Sequence, residues 1–137
     1  MEKSLQLEKI VSGINSQHKE RKNYVIYSSR ALDHLAQVTP LLNTPHISYA
    51  REMVIAVYQG AKSRGGYRIQ VKEVIERDNS LLVKILEIVP GQGASVDSFC
   101  APYEIVKTAK VKGKKVLFHY EQTILPAKKT RRCNPKR

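Results

Sequence analysis

A chain of 137 residues and 15.6 kDa is long enough for one domain that buries roughly two thirds of its unfolded surface, with no need of a disulfide or metal staple. Its 42% hydrophobic and 26% charged residues exclude wholesale disorder and a membrane protein. The net charge of +12 is unevenly placed: five cations face three acids in residues 1–22, eight face eight in 23–106, and eleven face one in 107–137. The basicity is therefore a C-terminal feature and not a property of the folded middle.

At the N-terminus, MEKSLQLEKIVSGINSQHK has acids at Glu2 and Glu8 and no continuous apolar run, so it reads as neither a signal peptide nor a lipoprotein leader. No later segment reaches the ~18 uninterrupted apolar residues of a membrane span, and a cytoplasmic product is expected. Leu7, Ile10, Val11 and Ile14 recur at the spacing of one helical stripe, with Ser4 as a cap. The spacing predicts an amphipathic helix over 4–16 and, through QHKERKN, a linker that closes an N-terminal segment at residue 22. That helix offers a docking face, or packs on its own sheet or on a second copy of the chain, which makes a homo-oligomer one expected partner state.

YVIY at 24–27 is a strand by its β-branched and aromatic content, and Ser28 and Ser29 cap a helix that carries Ala31, Leu32, Leu35, Ala36 and Val38 on one face. Pro40 ends that helix, and LLNTPHISYA, with Pro45 following Pro40 within six residues, reads as a loop. MVIAVY at 53–58 is apolar on both alternating faces, as a strand in the middle of a sheet or sandwich must be.

YQGAKSRGGYRIQV, 58–71, puts three glycines and, among them, the two cations Lys62 and Arg64 after that strand. A phosphate-binding loop needs its lysine after the glycines and a helix behind it. Here the lysine precedes the glycine pair, and Tyr67, Ile69 and Val71 continue with a period of two. A strand, a glycine-rich turn of about six residues and a second strand remain, in other words a hairpin. Gly65 and Gly66 supply positive φ or close approach, and Lys62, Ser63 and Arg64 stand at the tip. The tip is either hairpin geometry alone or a partner contact.

The phase of the next strand slips at Glu73, so a bulge is expected at 72–74. Asp78 and Asn79 then turn the chain into LLVKILEIV, 81–89, and make a hairpin. PGQGAS at 90–95 is a flexible loop. YEIVKTAKV and KVLFHYE flank a turn at Lys112 and Gly113, read as another hairpin with Phe118 and Tyr120 on one face. PAKKTRRCNPKR has no periodicity and six cations, and reads as a disordered tail.

Catalytic chemistry finds no support. His18, His34, His46 and His119 fall in four separate segments without HxxxH or HExxH spacing, Asp33 and His34 are neighbours that diverge on a helix, and Ser95 and Ser98 lack a GxSxG elbow. No metal site and no cofactor is expected. Cys100 sits among apolar residues and reads as core filler; Cys133, among cations, reads as the more reactive thiol. The cations Lys112, Lys114, Lys115, Lys128, Lys129, Arg131, Arg132, Lys136 and Arg137 suit phosphates of nucleic acid through counterion release, although no stacking aromatic follows Tyr120.

The apolar strand ending at Gly60, the pair Gly65 and Gly66 before Tyr67, the strand ending at Pro90 and Gly91, and Pro102 with Tyr103 together resemble the C-terminal domain of the protease complex subunit PrcB family, over roughly residues 50–108, with an echo in YVIYSSRALDHL. The family is not known as catalytic, and its named member is an accessory component of a serine protease complex. The resemblance implies a small β-rich binding or stabilising subunit.

The reading is a β-rich α+β domain over 23–125, with about six mostly antiparallel strands and one or two short helices, preceded by a helix and linker over 1–22 and followed by a basic tail over 126–137. Its expected role is non-enzymatic protein interaction, with Lys62, Arg64, Gly65, Gly66 and Tyr67 as the partner contact. Nonspecific nucleic-acid association through the C-terminal cations is the alternative.

Overall fold

Runs of Val, Ile, Leu and Tyr pair into eight strands, and the computed structural model describes residues 2–39, 46–91 and 99–125. The elements are β1 (Lys3–Leu5), β2 (Glu8–Gly13), β3 (Lys22–Ile26), α1 (Ser29–Leu35), β4 (Glu52–Tyr58), β5 (Arg68–Glu76), β6 (Ser80–Pro90), β7 (Tyr103–Ala109) and β8 (Lys115–Leu125). They form two four-stranded sheets, ordered β1-β5-β6-β8 and β2-β7-β4-β3. Every pairing is antiparallel except that of β6 with β8, which is parallel.

The sheets face each other over a core of Met53, Ile55 and Val57 from β4, Ile69, Val71 and Val74 from β5, Leu81, Val83 and Ile85 from β6, and Val106 from β7. A second core lies on the opposite side of the β4 sheet, where Val54, Ala56, Tyr58, Tyr103 and Ile105 meet Leu32 and Leu35 of α1. The order of layers is sheet, sheet, helix. This explains the uniform apolarity of MVIAVY: β4 is central in its sheet and covered on both faces, with Met53 to Tyr58 fully buried. Ser28 caps α1 by accepting a 3.2 Å hydrogen bond from the Ala31 amide, a contribution of about 1 kcal/mol to the helix start.

The expected helix over 4–16 is replaced by β1 and β2. Register shifts between Lys9 and Val11 against β7, so Ile10 occupies a bulge, and both Ile10 and Val11 pack on the helix-side core. Two consecutive apolar residues on one face imitate helical spacing; here the bulge puts them there. Leu7 packs into the core between the sheets. Of the residues meant to form a separate docking helix, Leu7, Ile10 and Val11 are thus committed to the fold, residues 3–13 belong to both sheets, and the route to a homo-oligomer through that helix falls away.

Two of the three expected hairpins are also corrected. β5 and β6 form theirs, around Asp78 and Asn79, with the register shift between Val71 and Glu73. β4 and β5 belong to different sheets, so residues 59–67 are a crossover between layers; so do β7 and β8, and the turn at Gly113, φ +80, carries the chain across to a parallel partner. A glycine turn is compatible with either connection, and burial decides. β4 has two apolar faces and must take neighbours on each edge within its own layer, which β3 and β7 provide. Among the described residues the strand number rises from about six to eight and the helix count is one. The strands expected at 24–27, 53–58, 67–77, 81–89 and in the two runs after Pro102 are found, as is the face shared by Phe118 and Tyr120, which packs on the inter-sheet core. Pro40, the loop at 92–95, Ser95, Ser98, Cys133 and the tail at 126–137 lie outside the described residues. Among the described residues, no helix is long and apolar enough to cross a membrane.

Candidate protein-contact groove

Antiparallel register fixes what gathers at each end of the sandwich. Lys22 pairs with Tyr58, Tyr58 with Tyr103 and Gly13 with Tyr103, while in the other sheet Arg68 pairs with Ile88 and Pro90 with Leu125. One pole therefore collects the segment after β2, the crossover after β4, the segment before β7 and the end of β8.

Three of these segments are knitted by backbone bonds. The Ala101 amide donates to the Ile14 carbonyl at 2.6 Å and the Ser16 amide to Ala101 at 3.1 Å; Lys62 and Cys100 exchange bonds of 2.7 and 3.1 Å; the Ala61 amide donates to Lys19 at 3.0 Å and Gln59 to Pro102 at 3.0 Å. The crossover is consequently no free tip. Gly60, φ +92, is required here: a Cβ would stand 3.0 Å from the Arg21 nitrogen and 3.3 Å from the Glu20 carbonyl carbon.

Between the segments runs an open, mainly apolar groove bounded by Ile14, His18, Lys62, Phe99, Cys100 and Ala101. Phe99 stands at its rim with 85% of its surface exposed, and Ile14 is exposed beside it. Cys100 is buried and free, as expected of a filler thiol, and its S–H donates to the Arg64 carbonyl at 3.2 Å.

The groove floor is stiffened by an aromatic stack. His18 lies over Tyr58, centroids 4.4 Å apart, hydrogen-bonds Tyr24 at 2.8 Å through Nε2 and meets the Glu20 carbonyl at 2.7 Å through Nδ1. Tyr58 shares a 2.5 Å hydrogen bond with Thr39, and burial pushes its hydroxyl pKa up to about 12. Tyr103, also raised by burial, stacks on Tyr58 at 6.2 Å. A histidine held on both nitrogens and stacked on a buried tyrosine packs as one unit with it.

Behind it sits a charged clamp. Arg21 binds Glu87 with both arms, at 2.9 and 2.8 Å, and lies 3.7 Å above the Tyr120 ring. Asn23 donates to the Tyr120 hydroxyl. Glu87 is only 2% exposed. It comes from the inward-facing phase of β6, after Leu81, Val83 and Ile85, and in LLVKILEIV it passed for an ordinary polar position. A second buried carboxylate, Glu104, accepts the Val71 amide at 2.7 Å and so satisfies the edge of β5 beyond the short β1; burial raises its pKa against the opposing pull of that bond and of Lys9.

Of the contact residues read from the sequence, Lys62 borders the groove, with its ammonium 5.2 Å from the Tyr67 ring centroid. Arg64 is exposed and Gly65 is buried; Gly66 has φ +98, the positive angle expected of the pair. The five are neighbours in the crossover, but the apolar surface next to them is made by Ile14, read from the sequence as part of a helical stripe, and by Phe99, which the sequence did not single out. Of the C-terminal cations, Lys114 is held by Glu76 at 3.0 Å, Lys112 lies 5.2 Å from the Tyr27 ring centroid and Lys115 is exposed; Lys128, Lys129, Arg131, Arg132, Lys136 and Arg137 are outside the described residues. A polar cleft at the other pole, lined by Glu8, Glu52 and Lys107, is self-neutralised: Lys107 pairs with Glu52 at 3.3 Å and Glu8 at 3.7 Å, and the Ser48 amide, then Lys107, hold the Glu52 carboxyl below its usual range.

Residues 53–109 match the family model described as PrcB C-terminal. Over this stretch the chain is similar to the PrcB C-terminal domain. The match agrees with the extent read from the glycine and proline positions and covers β4 to β7, the hairpin and the strands that carry most of the core. No curated protein and no solved structure matches the chain. Two walls of the groove, at 59–62 and 99–102, belong to the PrcB-like segment, whereas the third, 14–19, precedes it. The Arg21 clamp likewise joins a residue outside the match to Glu87 inside it.

Proposed function

We infer that this chain is a non-catalytic protein-binding subunit of the PrcB type, an accessory component that seats a segment of a protein partner in the groove beside Phe99. The observation that carries the reading is Phe99 itself. A large aromatic left almost wholly in water, just ahead of the backbone bonds of Cys100 and Ala101, has the form of an anchor: burying it against a partner gains apolar area. The PrcB-like segment supports this, since the subunit named by the family is an accessory part of a protease complex. The described chemistry is consistent with it, because the buried titratable groups are engaged in clamps and stacks.

The test is affinity capture by the full-length chain and by Phe99→Ser, each with and without nuclease, with folding checked by circular dichroism. Proteins retained after nuclease by the native chain and lost from the folded variant support the reading, since loss of an anchor costs about 2 kcal/mol or more. If every captured protein disappears with nuclease, association runs through the C-terminal cations and the reading is overturned.

A further inference from the structure

β8 is unlike the other strands that end a sheet. β1 has three residues, β2 is bulged and β3 has five; short length and bulges are the usual protections of an exposed edge. β8 has eleven residues, KVLFHYEQTIL, with no proline and no register break along its whole pairing with β6. Among the described residues no strand pairs with its other side. Along that side alternate residues turn their N–H and C=O groups away from β6, a ready template for one more strand.

The geometry points to an extended, acidic segment of a protein partner that adds to β8 as a fifth strand of its sheet. This rests on the protein-binding reading and specifies a second contact for it. Charge chooses the occupant. The residues leading into the strand include Lys112, Lys114 and Lys115, and those after it, 126–137, hold six cations and no carboxylate. On the solvent face beside β8, Lys84 stands in register with His119 and pairs with Glu73 at 3.8 Å. Glu121, the one acid in the strand, is neutralised by Lys72 at 3.0 Å. A second copy of the chain would bring another +12 against the same edge, whereas a glutamate or aspartate of an incoming strand would find a cation across from it at Lys115. Backbone pairing supplies attachment and the flanking cations supply selection, the division of labour seen when peptides extend a sheet. Leu117, on the same face as Lys115, and Ile124, 68% exposed on the other face, offer apolar contact to an incoming strand.

The experiment is selection of short random linear peptides displayed on phage against the immobilised full-length chain, followed by binding of the enriched peptides to the native chain, to the double variant Leu117→Asp with Thr123→Asp, and to Phe99→Ser. Both altered β8 positions face solvent, and folding is checked by circular dichroism. The expected result is enrichment of acidic peptides that bind the double variant about tenfold more weakly, bind Phe99→Ser unchanged, and slow amide hydrogen exchange across 115–125. The same peptides synthesised with alternate N-methyl groups, in both phases, keep their charge but cannot complete the ladder, and one phase should fail. Peptides that bind the double variant equally well, or in both N-methylated phases, overturn the inference; if Phe99→Ser abolishes their binding instead, the groove reading survives alone. Failure to enrich any peptide overturns the β8 site, while the groove reading remains answerable to its own capture experiment.

Discussion

Replacing Arg21 by alanine separates a side chain that is half exposed from a partner that is not. The guanidinium is 48% exposed while Glu87 beneath it is 3% exposed, so truncation leaves a carboxylate facing the inter-sheet core with only Gln122, at 3.4 Å, to approach it. Full loss of a buried partner costs about 3–5 kcal/mol, but the opening above Arg21 admits water and lowers that figure. The two charge-assisted bonds contribute about 1.5–3 kcal/mol, and the contact with Tyr120 adds about 0.5 kcal/mol at a site this exposed. The expected loss for Arg21→Ala is about 2–3 kcal/mol, or roughly 10 °C in Tm for a domain of this size. Urea unfolding followed by far-ultraviolet circular dichroism reads it directly. Adding Glu87→Gln to Arg21→Ala removes the unpaired charge and should restore about half of the loss. A single-variant cost below about 0.5 kcal/mol, the range of a neutral surface change, would refute the clamp, as would a double variant no more stable than the single one.

Three further outcomes are expected. The raised pKa values of Tyr58, about 12, and of Tyr103 mean that the fold favours their protonated forms; that stability is complete below pH 10 and is lost as pH rises from 10 through 12, so the urea midpoint should fall from pH 9 to pH 11, and fall less in Tyr58→Phe. For Glu104 the same sign applies at lower pH: its raised pKa gives stability that is present below about pH 4.5 and lost as pH rises through the folded value. Glu104→Gln keeps an acceptor for the Val71 amide and should be more stable than the native chain at pH 7 but not at pH 4, measured by denaturant titration. Gly60→Ala should cost more than Gly113→Ala by thermal melting: both have positive φ, worth about 1–2 kcal/mol, but only at Gly60 does the new methyl meet backbone, at Arg21 and Glu20.

Local patterns were legible in proportion to how locally they were decided. The bulge near Glu73 and the turn at Asp78 and Asn79 are written in consecutive residues, and the double-sided burial of β4 in its unbroken apolarity. Layer assignment was not, because Gly60 to Gly66 and Gly113 look alike whether the chain folds back beside itself or crosses to the facing sheet. Ile10 and Val11 misled because an i, i+1 pair is as much the mark of a bulge as of a helix. The groove was half legible: Lys62 was found through its loop, but Phe99 becomes informative only once its neighbours are seen to leave it bare. Arg21 and Glu87, 66 positions apart, carried no signal at all in one dimension.

The pairing of Lys3 with Glu76 and of Glu8 with Lys107 has a consequence for how the molecule comes into being. During synthesis the first two strands emerge long before the strands they rest on, and the last strand must find β6 after an intervening excursion through the other layer. The hairpin of β5 and β6 can form at once, but neither layer is complete until both ends of the chain have arrived. Contacts so distant form slowly, since the chain gives up the entropy of closing large loops before the new contacts repay it. Until that moment β5 and β7 each present an uncovered flank, and a ribosome-bound or end-trimmed chain would be the form most exposed to mispairing with its neighbours.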